Sequence, residues 1–325
     1  MVKNKLLWAA SLAIGIILPL LVENVFFRHV LFMIVLFVTL GEAWNLVGGY
    51  IGYVSFGHAV FFGLGAYVPV ILFKNFGINP WAGMFFGGLA AVIAAFVIAY
   101  PCFRLDLRGH YFAIATLAFA EIVAIAFDNW DYVGAARGIM IPIHDDSLIL
   151  LQFKGKLPFY YIAFAFMVFT ILLINLLLNS KPGYYFRAIR ENEEAAQSSG
   201  VNTSVYKHIA FLLSALLVAP IGTLYAHYNL YFDPRMVFHF MISTQMVLVA
   251  LLGGLGMLSG PIMGACILIT FSEYSRAWLG GGGRGLDIIF FGLLLVAITI
   301  FEPGGFISII RRFRLRLGRT WTTSS

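Results

Sequence analysis

Residues 179–207 read NSKPGYYFRAIRENEEAAQSSGVNTSVYK, a polar island between two long apolar runs. It carries seven charged residues of a chain that has only 21 basic and 15 acidic ones. A segment this polar has no place in hydrocarbon, so it faces water, and its amphipathic pattern suits contact with another protein there. The apolar runs on either side are each long enough for a helix to cross a membrane. Together they specify an all-α membrane protein whose helices cross, return and are joined by water-facing links.

Composition agrees. Hydrophobic residues make up 61% of the chain and charged residues 11%, against roughly 25% charged in an ordinary soluble domain; mean hydropathy is +0.91. The formal net charge is +6. The basic residues are spread over links and the C-terminal tail, which suits membrane lipid headgroups and not nucleic acid. Cys102 and Cys266 are too few and too isolated to make a disulfide or a metal set, and read as small apolar residues.

Further apolar runs lie near 6–22, 30–47, 52–73, 80–100, 110–127, 158–178, 208–228, 241–274 and 286–302. The first has a basic start and no clean cleavage site, so it reads as a retained span. The run at 241–274 is too long for one span and is interrupted by Gly253, Gly254, Gly256, Gly260 and Pro261, which predicts two short ones. About ten spans result, in a single transmembrane domain over 1–325. Both basic termini and 179–207 then face the cytoplasm. Residues 128–157 face outside, long enough for a small cap that receives a partner.

The stretch GYIGYVSFGHAVFFGLGAY at 49–67 is dense in glycine around Ser55, Gly57, His58 and Gly63. Such density weakens a helix and lets backbones approach closely. These residues are candidates for a substrate pathway or a subunit interface, with tight packing as the alternative. A lone histidine is a poor metal site, so His58 reads as a buried hydrogen-bonding group. Glu42 and Glu121 fall within predicted spans, where an ionisable group is costly and a candidate by default, although a structural hydrogen bond accounts for each equally well. Gly256 to Ser259 echoes the Gly-x-x-Ser pattern of Gly52 to Ser55 and adds Gly254 and Gly256 to the candidate pathway.

Within the polar island a helix is predicted from Tyr185 to Ser199, after a Pro182-Gly183 breaker and ending at Gly200. Tyr185, Phe186 and Ile189 form its apolar face, predicted to fill a groove on a partner. Arg187 with Glu191 and Arg190 with Glu194 are spaced as i,i+4 pairs. Asn202 or Thr203 caps the helix that follows. No phosphate-cradling G-x-x-x-x-G-K-[ST], no H-E-x-x-H and no G-x-S-x-G is present. The chain therefore reads as a non-enzyme without a cofactor or metal.

Four blocks carry a resemblance: 49–67, RGHYFAIATLAFAEI at 108–122, RAIRENEEAAQSSGVNTSVYKHIAFLLSA at 187–215 and LLGGLGMLSGPIMGA at 251–265. Together they resemble the branched-chain amino-acid ABC importer permeases of the LivM type, over most of the chain. Glu194, Ala195, Ala196 and Gly200 match the spacing of the family's ATPase-docking motif. The downstream Ile-x-Leu-Pro portion is replaced by Ile209-Ala210-Phe211-Leu212. VGAARGI at 133–139 stands where many relatives have Thr-Gly-Gly. The resemblance implies a multi-pass permease of a bacterial inner membrane with three kinds of partner: a second homologous permease, cytoplasmic ATPase subunits that do the hydrolysis, and a periplasmic or other extracytoplasmic substrate-binding protein. Phe186, Arg187, Ile189, Arg190 and Glu191 then belong to the coupling helix. Urea, amides or other small polar solutes are alternative cargoes, and a self-sufficient channel or secondary transporter is the alternative class.

Overall fold

The computed structural model describes residues 2–143, 145–278 and 292–293. The predicted run at 286–302 and the basic C-terminal tail lie outside the described residues. Helices α1 (Val2–Leu21), α2 (Val25–Asn45), α3 (His58–Phe76), α4 (Pro80–Arg104) and α5 (His110–Asp128) come first. A two-residue strand β1 (Ile139–Met140) and α6 (Lys156–Leu178) follow. Then come α7 (Lys181–Glu191), α8 (Glu193–Ser198), α9 (Thr203–Asn229), β2 (Tyr231–Phe232), α10 (Pro234–Val237), α11 (Phe240–Gly253) and α12 (Gly260–Trp278). Among the described residues seven helical stretches are long and apolar enough to cross a membrane; the total of ten stays an expectation. The run at 241–274 does split, into α11 and α12, at residues 254–259.

Local chemistry sets many of the boundaries. Asn24 and Asn79 accept from the backbone N–H of Phe26 and Trp81, each at 2.9 Å, and Asp233 accepts from Met236 at 2.7 Å; each satisfies a donor that a helix start leaves open. Asn202 is the cap of α9, accepting from Val205 N–H at 3.2 Å. Beyond Asn45, α2 runs into a π-helical turn at Leu46–Ile51 and ends at Gly52, whose φ of 90° only glycine adopts readily.

Almost all of α2 from Val30 onward is enclosed. It packs on α6, α9, α11 and α12, while α3 packs on α4 and α9. The α3–α9 crossing is close: a Cβ on Gly65 would meet the Ala219 carbonyl and one on Gly222 the Phe62 carbonyl, the small-residue contact by which membrane helices associate. In contrast α5 buries only Phe112, Thr116 and Ala120.

The helix ends gather into two layers. One holds α7 and α8, the links after Gly52 and Arg104, and residues 254–259. The other is a cap made by residues 129–143 and 145–155 and the α9–α11 link. There β1 and β2 pair antiparallel, Ile139 with Phe232 and Met140 with Tyr231. Asn75 donates to the Tyr132 hydroxyl at 3.0 Å, and the Trp81 indole to the Leu148 carbonyl at 2.9 Å.

The polar island departs from its expected form. Its helix begins at Lys181, directly after Ser180, with Pro182 in the first turn, where a missing N–H costs nothing. Pro182-Gly183 is therefore part of the helix. Gly183 lets it fold back on α6, since a Cβ there would lie 2.5 Å from the Leu178 carbonyl. The helix is also not continuous to Ser199. Asn192 adopts an extended conformation (φ −160°, ψ 106°) and its side chain accepts from Ala195 N–H at 3.0 Å, starting α8 afresh. Asparagine does this readily because its side chain competes with the helix for backbone donors. The break moves Glu194 away from Arg190, and among the described residues neither predicted i,i+4 pair forms. Gly200, at φ 86°, ends α8 as expected, and the Val201 N–H closes back on the Ala196 carbonyl at 3.1 Å.

Candidate functional site

The structure brings the two glycine motifs together beneath α7. The Asn45 amide accepts from Gly256 N–H at 2.9 Å and donates to the Met257 carbonyl at 3.2 Å. A Cβ on Gly49 would stand 2.6 Å from the Gly256 nitrogen. Arg190 lies over both breaks, its Cγ 3.4 Å from where a Gly52 Cβ would be and its guanidinium against Gly256. Helix α7 thus rests on the glycine-broken ends of α2 and α11.

Beside it lies a cluster of charges in which four elements converge on one lysine. Lys207, in the first turns of α9, is 3% exposed. Its ammonium donates to Glu193 Oε1 at 2.5 Å and to the Tyr53 hydroxyl at 3.3 Å, and lies 5.2 Å from the ring centres of Tyr53 and Phe103. The Tyr53 hydroxyl donates to Glu193 Oε2 at 2.6 Å. Arg108 reaches Asp106 at 2.8 Å, Glu194 at 3.5 Å and Glu193 at 3.9 Å. Burial pushes the Glu193 carboxyl up, but the hydrogen bonds from Lys207 and Tyr53 outweigh it and hold the group below the usual carboxylate range. The node joins α8, the α4–α5 link, α9 and the segment between α2 and α3.

Glu193, Lys207, Tyr53 and Arg108 were not among the sequence candidates. A signal existed for one of them: Lys207 opens an apolar span, and a cation there calls for a partner. The pairing itself crosses elements and leaves no periodic trace.

The sequence candidates scatter. His58 is fully enclosed between two hydroxyls, Ser55 Oγ 3.1 Å from Nδ1 and Ser214 Oγ 2.8 Å from Nε2. Ser214 donates to the Ala43 carbonyl at 2.6 Å, so its oxygen accepts from Nε2–H and Nδ1 accepts from Ser55. His58 therefore has the hydrogen-bonding role expected of it. Gly57 packs on Thr116, and Gly63 on the Phe238 ring. Ser55, Gly57, His58, Gly63, Gly254 and Glu42 are all buried in the chain's own packing. Within this chain they present no open surface. Glu42 is fully enclosed on α2, within reach of the Asn45 side chain. Glu121 does stand on the open face of α5, with Ile122 and Ile125 each 61% exposed.

Of the residues expected to couple to an ATPase, Phe186 is 0% and Ile189 3% exposed. They face α6, α9 and the π-helical turn, which corrects the expectation that they fill a partner's groove. The open face of the island instead carries Tyr184, Arg187, Glu191, Glu194 and Ala195, with Arg190 and Gly200 also exposed and Ala196 buried. Among the described residues no group of three His, Cys, Asp or Glu side chains is placed to hold a metal ion.

The family model described as "Branched-chain amino acid transport system / permease component" matches residues 26–299. The chain is similar to the high-affinity branched-chain amino acid transport system permease protein LivM of Salmonella typhimurium, 29% identical over 98% of this chain and 78% of the relative. It is 29% identical to LivM of Escherichia coli, over 95% of this chain and 76% of the relative. To the permease protein LivH of Escherichia coli it is 22% identical, over 82% and 92%. No solved structure matches the chain.

Proposed function

The chain belongs to the branched-chain amino acid ABC transport permeases, as a LivM-type subunit, and we propose from that premise how it works with its partners. It carries branched-chain amino acids across a bacterial inner membrane beside a second, homologous permease. Cytoplasmic ATPase subunits dock on α7 and α8, and an extracytoplasmic binding protein delivers cargo to the cap.

One observation carries this reading. The node of Glu193, Lys207 and Tyr53 ties the docking segment directly to the glycine break between α2 and α3. A rigid displacement of α8 by the ATPase therefore moves Tyr53 and α9 together, while Arg190 carries the displacement of α7 to Gly52 and Gly256. Coupling of this kind needs an element with two discrete arrangements, and the broken helix ends supply one.

The face of α5 is the surface offered to the second permease. It exposes Tyr111, Ile114, Ile122 and Ile125, and it presents Glu121, a carboxylate that is expensive against lipid. A partner or a water-filled path beside it removes that cost.

ATP-dependent uptake of leucine by the co-purified complex in proteoliposomes tests the reading. Uptake that needs both ATP and the binding protein is expected; a complex that moves urea or amides but no leucine overturns the assignment of cargo. Sidedness has its own test. A single cysteine at Gln197 is expected to react with an impermeant thiol reagent only from the cytoplasmic side, and one at Asp145 only from the other. Reaction of both from one side would contradict the topology.

A further inference from the structure

A cleft of about 350 Å³ opens toward the cap layer between α2, α3, α9, α10, α11 and α12, at the small end of the range that ligand pockets span. Its walls combine two chemistries. Met33, Phe37 and Ile242 are apolar, and Glu273, Arg276 and Arg235 are charged. Glu273 is the anchor: its side chain is 8% exposed, with Oε1 3.2 Å from Arg276 Nη1 and Oε2 3.5 Å from His29 Nε2. Arg276 also donates to Ser272 Oγ at 3.2 Å and is 46% exposed, so the pair opens toward the cleft. Arg235 reaches in from the rim, 79% exposed, with Asp128 at 3.5 Å. A second recess, bordered by Glu121 and Asp128 on α5, shares Arg235 and His239 with this cleft. The cleft therefore adjoins the α5 face.

We propose that this cleft binds an α-amino acid as its zwitterion, with the ammonium at Glu273, the carboxylate at Arg276 and Arg235, and an aliphatic side chain among Met33, Phe37 and Ile242. This rests on the function proposed above and extends it, giving the permease a cargo subsite of its own. Opposite charges stand 3.2 Å apart at the Glu273–Arg276 pair, and an α-amino acid carries its two charges on groups bonded to one carbon. On entry the ammonium replaces Arg276 as the partner of Glu273, and the carboxylate replaces Glu273 as the partner of Arg276. Each charge exchanges one partner for another, so none is left buried and unpaired, the condition under which burying charge is tolerable. A urea or amide molecule, with no net charge on any group, cannot make that exchange.

The test uses the full chain with its co-purified partner subunits, without the binding protein, in nanodiscs of phosphatidylglycerol, which has no ammonium. Radiolabelled L-leucine is the probe. Leucinamide, lacking the carboxylate, and 2-hydroxy-4-methylpentanoate, lacking the ammonium, are the competitors. Leucine is expected to bind and to outcompete both. Glu273→Gln is expected to weaken leucine roughly tenfold or more, the worth of a charge-assisted hydrogen bond, while leaving the hydroxy acid unchanged. Arg235→Gln, at an exposed position, is expected to weaken leucine and the hydroxy acid but not leucinamide.

If the complete importer takes up leucine but this preparation binds none, the subsite is overturned and the transport function stands. Equal loss of all three ligands in Glu273→Gln overturns it in favour of a packing role. Phosphatidylethanolamine that binds where leucine does not overturns it in favour of a lipid headgroup. An importer that takes up no leucine removes the function itself and the subsite with it.

Discussion

Glu193→Ala is expected to abolish coupled transport while its exposed neighbour Glu194→Ala leaves most of it. The substitution strips the 2.5 Å partner from Lys207, a cation that is 3% exposed. What remains near the ammonium is the Tyr53 hydroxyl at 3.3 Å and Asp106 at 4.0 Å, at the outer limit of an ion pair. Breaking a buried pair from one side costs roughly 3–5 kcal/mol, because the surviving charge stays buried. Glu194 meets Arg108 at 3.5 Å with its side chain 81% exposed, a surface pair worth at most about 1 kcal/mol.

Two measurements separate coupling from stability: leucine transported per ATP hydrolysed, and the yield of intact complex. The expected result is a fall of at least tenfold in the first. The charge-reversed double variant Glu193→Lys with Lys207→Glu should recover part of it, since contacting residues do not act additively. Wild-type coupling in Glu193→Ala would refute the node as the joint between α8 and the glycine break.

The second large effect belongs to Ile189→Asp. Ile189 and Phe186 are the inward residues of α7, and an aspartate there places an unpaired carboxylate in a packed apolar seat. That costs several kcal/mol, a large part of a stability of about 5–15 kcal/mol. The yield of monodisperse chain is expected to collapse even without ATPase subunits. Arg187→Asp, on the open face, should leave yield normal and weaken ATPase retention instead. A normal yield of Ile189→Asp combined with lost ATPase would mean that the apolar face points outward after all.

Much was legible in the sequence because it is written in single segments. Hydropathy alone located the long helices, and the glycines at 253, 254 and 256 separated α11 from α12. Gly200 ended α8 and Asn202 began α9 for reasons that lie within a turn of chain. The break at Asn192 was legible too, since an asparagine followed by Glu193 and Glu194 has the form of a helix start. The apolar periodicity of the island outweighed it.

Residues a few positions apart thus fix which segments are long apolar helices, where they stop and which faces are apolar. What those faces meet is set by packing between elements. The 3.6-residue period says that Phe186 and Ile189 seek burial, and it is equally satisfied by an ATPase groove or by α6 and α9. Lys207 looks like one more water-facing cation until α8 returns Glu193 to it, 14 residues back along the chain, and Tyr53 arrives from 154 residues away. His58 is likewise indistinguishable from a pathway residue until Ser214 closes its second nitrogen. Burial follows from composition, but the choice of partner is made by packing, which brings together groups that have no fixed spacing in sequence.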